Sequence, residues 1–180
     1  MREITVLDKS FELFLDASVI HDATTRMARQ LTDDLHDKNP LFLVVLNGAF
    51  MFASDLIKQL EFDCEISFVK LSSYVGTKTT AVVRELIGLD EVLHGRTVVI
   101  VEDIIDTGIT MANTKEKLKK LEATDVRLAT LLFKPGAFQM DYKIDYVGIE
   151  IPNDFIVGYG LDYDGLGRNY PDIYKLKSEC

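Results

Sequence analysis

Cysteine, histidine and proline are all scarce: two, three and four residues among 180. Cys64 lies inside an apolar run and Cys180 at the very end, so no disulfide framework is expected. Three histidines and no Cys-x-x-Cys leave a zinc site almost without candidate ligands. Four prolines and 11 glycines exclude a collagen-like or linker-dominated chain. Basic residues are outnumbered as well, 20 Lys and Arg against 29 Asp and Glu, for a net charge of −9. That balance disfavours sequence-independent binding to nucleic acid or to anionic membranes, both of which need basic surface. The longest apolar run, 41–46, is far too short to cross a bilayer. The first ten residues show neither a long apolar stretch nor a small-residue cleavage site, so no signal peptide is expected and the cytoplasm is the expected compartment.

What is present fits one domain spanning 1–180. Hydrophobic residues make up 47% and charged residues 27%, an ordinary globular balance. A chain of this length buries roughly two thirds of its unfolded surface. Ile20, Thr24, Met27, Ala28, Leu31 and Leu35 recur at helical spacing and predict an amphipathic helix over about 18–37. Asn39-Pro40 stops it. Leu41-Phe-Leu-Val-Val-Leu46 reads as a strand buried on both faces. After Asn47-Gly48, the spacing of Phe50, Ala53, Ile57 and Leu60 suggests a second helix. A strand is expected over 64–71, then a mobile loop or weak hairpin over 72–84. Thr97-Val-Val-Ile-Val101 is again a buried strand, followed by a helix near 108–122 and a strand over 125–133. Shorter strands fit near 145–150 and 155–159. Strands alternating with helices imply an α/β fold, a parallel twisted sheet covered by helices on both faces. Ligands in such sheets bind beyond the carboxyl ends of the strands.

One string carries chemistry: Val98-Val-Ile-Val-Glu102-Asp103-Ile-Ile-Asp106-Thr107-Gly108-Ile109-Thr110. Adjacent carboxylates at the exit of a buried strand are costly to desolvate unless a cation or hydrogen-bond donor meets them. Thr107, Gly108, Ile109 and Thr110 then lead into a helix, whose N-terminal N–H groups and hydroxyls suit a phosphate. A ribose 5-phosphate has matching parts, a phosphate and two vicinal hydroxyls for Glu102 and Asp103 to accept from. A divalent cation shared between diol and pyrophosphate would offset the carboxylate charge. The alternative for Glu102, Asp103 and Asp106 is a set of solvated turn and N-cap residues. The string is neither a Walker loop nor a dinucleotide fingerprint.

It resembles the phosphoribosyl-pyrophosphate (PRPP) motif of the type I phosphoribosyltransferases, and its Glu-Asp-Ile-Ile-Asp-Thr-Gly core is close to the hypoxanthine-guanine phosphoribosyltransferases. The similarity extends over about 41–163. It implies the type I fold with a small hood from the terminal segments, the hood and base pocket coming from about 134–180. It also implies Mg²⁺-dependent purine salvage: transfer of phosphoribosyl from PRPP to a 6-oxopurine. Asn47 and Gly48 fall where the family binds pyrophosphate, and relatives often have a cis peptide there. Ser73 and Tyr74 open a segment similar to its lid. Lys134, Phe155 and Ile156 fall in its purine pocket, and Asp162 becomes a further metal-associated carboxylate beside Glu102 and Asp103. Asp106 is the implied general base near purine N7. The family further implies a homodimer or homotetramer.

Taken by themselves, several of these residues have blander readings. Lys134 is either a purine donor or an exposed strand-end lysine, Phe155 a stacking face or core, and Arg168 a pyrophosphate contact or a solvated loop arginine. Asn47 departs from relatives, which commonly carry Lys or Arg there. A PRPP-fold regulator that binds nucleic acid is the rival from another class, and transferases for other bases the rivals within this one. The regulator would show a basic stripe. The one cluster, Lys115, Lys117, Lys119 and Lys120, is interrupted by Glu116 and closed by Glu122, and reads as a solvated helix face. The expected partners are therefore PRPP and a 6-oxopurine, with neither nucleic acid nor membrane.

Overall fold

The computed structural model describes residues 2–73, 83–87 and 93–177. Its centre is a six-stranded sheet built from β3 (Leu41–Leu46), β4 (Glu65–Ser73), β5 (Val83–Ile87), β6 (Thr97–Ile105), β7 (Asp125–Phe133) and β8 (Tyr146–Glu150). The strand order is β5-β4-β3-β6-β7-β8. All pairs are parallel except β4 with β5, an antiparallel edge in which Ser73 faces Val83. Of the stretch over 72–84, expected as a mobile loop or weak hairpin, 74–82 lie outside the described residues. Ser73 ends β4, while Tyr74 lies outside the described residues.

The apolar runs are continuous because both faces are buried. Phe42, Val44, Val99 and Val101 meet α1 (Ala17–Leu35) and α2 (Phe50–Ile57), while Leu41, Leu43, Val98 and Ile100 meet α3 (Ile109–Lys120) on the other side. Helix α1 buries Ile20, Thr24, Met27, Ala28, Leu31 and Leu35 as its spacing predicts. Its first turn is capped by the Asp16 carboxylate, which accepts from the Ser18 N–H at 3.0 Å. Helix α2 ends at Ile57, short of Leu60, because the Lys58, Gln59 and Leu60 N–H groups close a tight turn.

A second, antiparallel sheet runs β1-β2-β10-β9, from β1 (Glu3–Val6), β2 (Lys9–Leu15), β10 (Ile173–Leu176) and β9 (Ile156–Val157). It is the hood expected from the terminal segments, and it joins the two ends of the chain: Leu176 pairs with Phe11 and Tyr174 with Leu13. The strands β1, β2 and β10 were not expected from the sequence pattern.

Chain order fixes where a ligand belongs. From β3 the chain moves outward through β4 to β5, then returns to the other side of β3 with β6 and continues to β7 and β8. The switch point lies between the carboxyl ends of β3 and β6.

Candidate active site

Two loops meet at that switch point. The first leaves β3 through Asn47 and Gly48, with a cis peptide between Leu46 and Asn47. The second leaves β6, which runs on to Ile105, four residues beyond the expected end at Val101. Glu102 and Asp103 therefore lie within the strand, opposite β7, where Glu102 is in register with Thr130. The alternation of faces breaks here: after Val99 and Val101, the next apolar residue on that side is Ile104. The acidic pair occupies the break.

Gly48 and Asp103 are packed so closely that a Cβ at Gly48 would lie 1.7 Å from Asp103 Oδ2. Glycine is required at that point by contact alone. Asp103 is buried, with its Oδ1 accepting from the Ile104 N–H at 2.8 Å. Glu102 is partly exposed as a residue, yet its Oε2 is buried without a hydrogen-bond partner. Burial pushes the Glu102 carboxyl well above the ordinary carboxylate range, and the neighbouring Asp103 pushes it further. Burial also raises Asp103, against the opposing pull of the Glu102 contact, the Ile104 N–H and Arg168. The pair favours whatever brings positive charge or hydroxyl donors to it.

Beyond β6 the chain turns through Asp106, Thr107 and Gly108 into α3. Gly108 is the residue before the helix and has φ +81°, a left-handed conformation that suits glycine. The first N–H groups of α3 have no intrahelical partner, as at any helix start. A cleft of about 330 Å³ opens here, lined by Gly48, Glu102, Asp103, Asp106, Thr107, Gly108 and Thr110, with Asp162 and Arg168 closing it from the opposite side.

These last two side chains are paired. Arg168 Nη2 lies 2.6 Å from Asp162 Oδ1, Arg168 Nη1 donates to the Gly160 carbonyl at 2.7 Å, and Asp162 Oδ2 accepts from the Gly165 N–H. Arg168 is therefore a fixed, largely buried cation rather than a solvated one. Lys134 is only 12% exposed at its side chain and reaches to 3.6 Å from Asp106 Oδ2, so it is not a loose strand-end lysine. Its N–H donates to the Ile105 carbonyl, which fixes the start of the segment after β7.

Not every expected residue lines the cleft. Phe155 is 45% exposed and packs edge-to-face on Tyr163 at 5.8 Å and against Phe11 at 6.2 Å, while Ile156 is buried in the hood. Neither is in the cleft lining, and neither is Asn47, Ile109 or Lys134.

Two sets of contacts had no signal in the sequence. Tyr159, with φ +49°, donates its hydroxyl to Asp55 Oδ2 on α2 at 2.7 Å. The adjacent Gly160 sits so near the 47–48 loop that a Cβ there would be 2.0 Å from the Gly48 carbonyl oxygen. The hood segment thus clamps the first loop. The second set, around Phe138 and Tyr142, holds the phosphate-type loop. Lys115 belongs to it: its ammonium lies 5.3 Å from the Tyr142 ring centre and 3.9 Å from Asp145, so it does not share the solvated face expected for the lysine cluster. Lys120 does, pairing with Glu116 one turn back.

A phosphoribosyl transferase domain model matches residues 14–164. The hypoxanthine-guanine phosphoribosyltransferase of Streptococcus thermophilus (strain CNRZ 1066) is 43% identical over 157 residues, 87% of either chain. The chain belongs to the hypoxanthine-guanine phosphoribosyltransferase family. The relative of that name in Streptococcus pneumoniae (strain ATCC BAA-255 / R6) is 40% identical over 161 residues, 89% of either chain. Among solved structures, a hypoxanthine phosphoribosyltransferase from Staphylococcus aureus superposes with a TM-score of 0.87 at 37% identity, covering 92% of this chain and 91% of that one. As a member of this family the protein is an enzyme, a phosphoribosyltransferase of purine salvage, and its sheet is the type I fold. No described helix is long and apolar enough to cross a membrane.

Proposed function

We propose that this phosphoribosyltransferase moves the 5-phosphoribosyl group of PRPP to hypoxanthine or guanine, forming IMP or GMP and releasing pyrophosphate. The observation that carries the reading is the meeting of the Gly48 loop, the Glu102–Asp103 pair and the Asp106–Thr110 loop in one cleft at the switch point. In this reading the ribose 5-phosphate sits on Thr107, Gly108, Ile109 and Thr110, where helix N-terminal N–H groups and hydroxyls meet an anion. The ribose hydroxyls donate to Glu102 and Asp103. Pyrophosphate lies toward Asn47, Gly48 and Arg168, the first two binding through backbone N–H groups. The purine is held between Lys134 and the 155–162 segment, with Phe155 offering its exposed ring face and Ile156 and Asp162 their backbone carbonyls.

The new bond forms from a purine ring nitrogen to the anomeric carbon as the bond to pyrophosphate breaks. Asp106 takes the proton from purine N7, a contribution worth about 10²–10⁴ in rate. The Lys134 ammonium, 3.6 Å from Asp106, pairs with that carboxylate and donates to the 6-oxo group when the base arrives. Ser73 and the segment beginning at Tyr74 serve as a lid that excludes water from the cationic sugar.

The acidic residues suit a magnesium ion. Among the described residues no three His, Cys, Asp or Glu side chains form a ready-made cage, but Mg²⁺ is commonly held by one or two carboxylates together with substrate phosphates. The unpartnered Glu102 Oε2 is a hard oxygen donor at the right place. Glu102, Asp103 and Asp162 would hold the ion directly or through water. When bound, Mg²⁺ neutralises charge developing on the departing pyrophosphate.

Family membership further supports a homodimer or homotetramer in the cytoplasm, with the base-facing half contributed by about 134–180. The assay is direct: PRPP and Mg²⁺ with hypoxanthine, guanine, xanthine and adenine in turn. IMP and GMP are the expected products. Turnover of adenine alone, or no turnover with any base, would overturn the reading.

A further inference from the structure

The phosphate-type loop is not free-standing. Its two central carbonyls are held from outside by the connection between β7 and β8. The Gln139 N–H donates to the Thr107 carbonyl at 3.1 Å, and the Tyr142 hydroxyl donates to the Gly108 carbonyl at 2.8 Å. The Gly108 carbonyl also accepts the first helical bond of α3, from the Ala112 N–H at 3.0 Å, so both of its lone pairs are used.

Rings lock the same contact. Phe138 stands edge-on to Phe133 at 5.2 Å and edge-on to Tyr142 at 5.3 Å. It presses on the loop so closely that a Cβ at Gly108 would lie 2.4 Å from its ring and 2.9 Å from the Tyr142 hydroxyl. The Lys115 ammonium, carried by α3 itself, lies 5.3 Å from the Tyr142 ring centre. Helix α3 and the 138–142 connection thus grip each other across the loop. Burial and the charge of Glu102 push the Tyr142 hydroxyl up to about 12, so it stays a donor throughout the neutral range.

We propose that Tyr142 is a positioning residue for phosphate binding: by fixing the Gly108 carbonyl, it sets the peptide planes whose N–H groups face the substrate phosphate. The inference rests on the reading of 106–110 as the phosphate site. Its physical content is preorganisation. A loop whose carbonyls are tied back presents its N–H groups without paying to order them when the anion arrives. Tyr142 does not touch the substrate. It acts through Gly108 alone.

The test is Tyr142→Phe, which removes one oxygen and keeps the ring, its packing on Phe138 and its contact with Lys115. Binding of IMP and of inosine is measured on wild type and variant, together with kcat and the KM values for PRPP and hypoxanthine. The expected result is IMP binding weakened about fivefold to tenfold, the scale of one net hydrogen bond. The KM for PRPP rises by a similar factor, with inosine binding, hypoxanthine KM and kcat within twofold of wild type. Phe138→Leu, which loosens the ring against Gly108 but leaves both hydrogen-bond donors, is expected to show the same phosphate-selective loss to a smaller degree. Equal weakening of IMP and inosine, or unchanged IMP binding, overturns the role of Tyr142 and leaves the phosphate site intact. If wild-type enzyme binds IMP no better than inosine, the phosphate-site reading fails, and the inference fails with it.

Discussion

The contact between Gly48 and Asp103 makes Gly48→Ala the sharpest single perturbation of the cleft. An added Cβ would stand 1.7 Å from Asp103 Oδ2, 2.6 Å from Cγ and 3.2 Å from Oδ1, so the whole carboxylate is in the way. Gly48 has no left-handed backbone angle, and the penalty is therefore contact and nothing else. Asp103 cannot rotate aside freely, because its Oδ1 holds the Ile104 N–H at 2.8 Å. The 47–48 loop cannot back away either, since Gly160 rests on the Gly48 carbonyl. Relief requires a shift of about 1 Å in one of the two groups that face substrate, and displacements of that size cost about 10²-fold in rate. Overpacking adds about 1–3 kcal/mol of lost stability. Steady-state kinetics with PRPP and hypoxanthine should show kcat/KM lowered about 10²-fold. Gly95→Ala is the control: Gly95 has φ +78° with nothing within 4 Å of the added atom, so it should lose about 1 kcal/mol from backbone strain and no activity. A Gly48→Ala enzyme with kcat/KM within twofold of wild type would refute the argument.

Two further substitutions probe the acidic residues. Asp106→Asn should lower kcat about 10²–10⁴-fold while leaving the KM for PRPP within about threefold, as expected for a proton acceptor; equal losses in both would remove Asp106 from that role. Glu102→Gln concerns stability in the substrate-free, metal-free enzyme. A carboxyl whose value is raised on folding contributes stability that is complete below its ordinary value of 4.5 and is lost as pH rises through the folded value. Glutamine is neutral throughout, so the variant should melt above wild type at pH 8, with the gap closing toward pH 4.5. Thermal melts across that range check it, and a gap that widens on acidification would contradict the direction of the shift.

The strands and helices that bury most apolar surface were legible because their patterns are local. The runs over 41–46 and 97–101 announce strands covered on both faces, and α1 announces itself by one apolar stripe. The end of β6 was misplaced because Glu102 and Asp103 break the apolar run, whereas pairing with β7 carries the strand through them to Ile105. The hood strands β1, β2 and β10 were invisible for a different reason. Lys9–Leu15 pairs on one side with Glu3–Val6 but on the other with Ile173–Leu176, about 160 residues away, and no local period records that distant partner. The site divides the same way. Its acidic pair and glycine turn sit in one string, so they could be read directly. Tyr142 on Gly108, Tyr159 on Asp55 and Phe155 on Tyr163 are each set by tertiary packing between side chains of ordinary type.

The order of the second sheet has a consequence for how the molecule is made. β10 is an interior strand, flanked by β2 on one side and β9 on the other. During synthesis the β1–β2 hairpin emerges long before its neighbour β10. At about 5–20 residues per second, roughly ten to thirty seconds separate Leu15 from Ile173. Over that interval the hairpin has no third strand, and two-stranded hairpins alone are barely stable in water. The strands of the six-stranded sheet are all synthesised by Glu150, while Ile156, Tyr159 and Ile173 of its core come later. The segment that carries Phe155, Asp162 and Arg168 is anchored through β9 on β10. Nascent chains therefore synthesise the phosphate-facing wall of the cleft well before the wall opposite it, and a ribosome-stalled chain lacking 173–176 should hold that second wall unfixed.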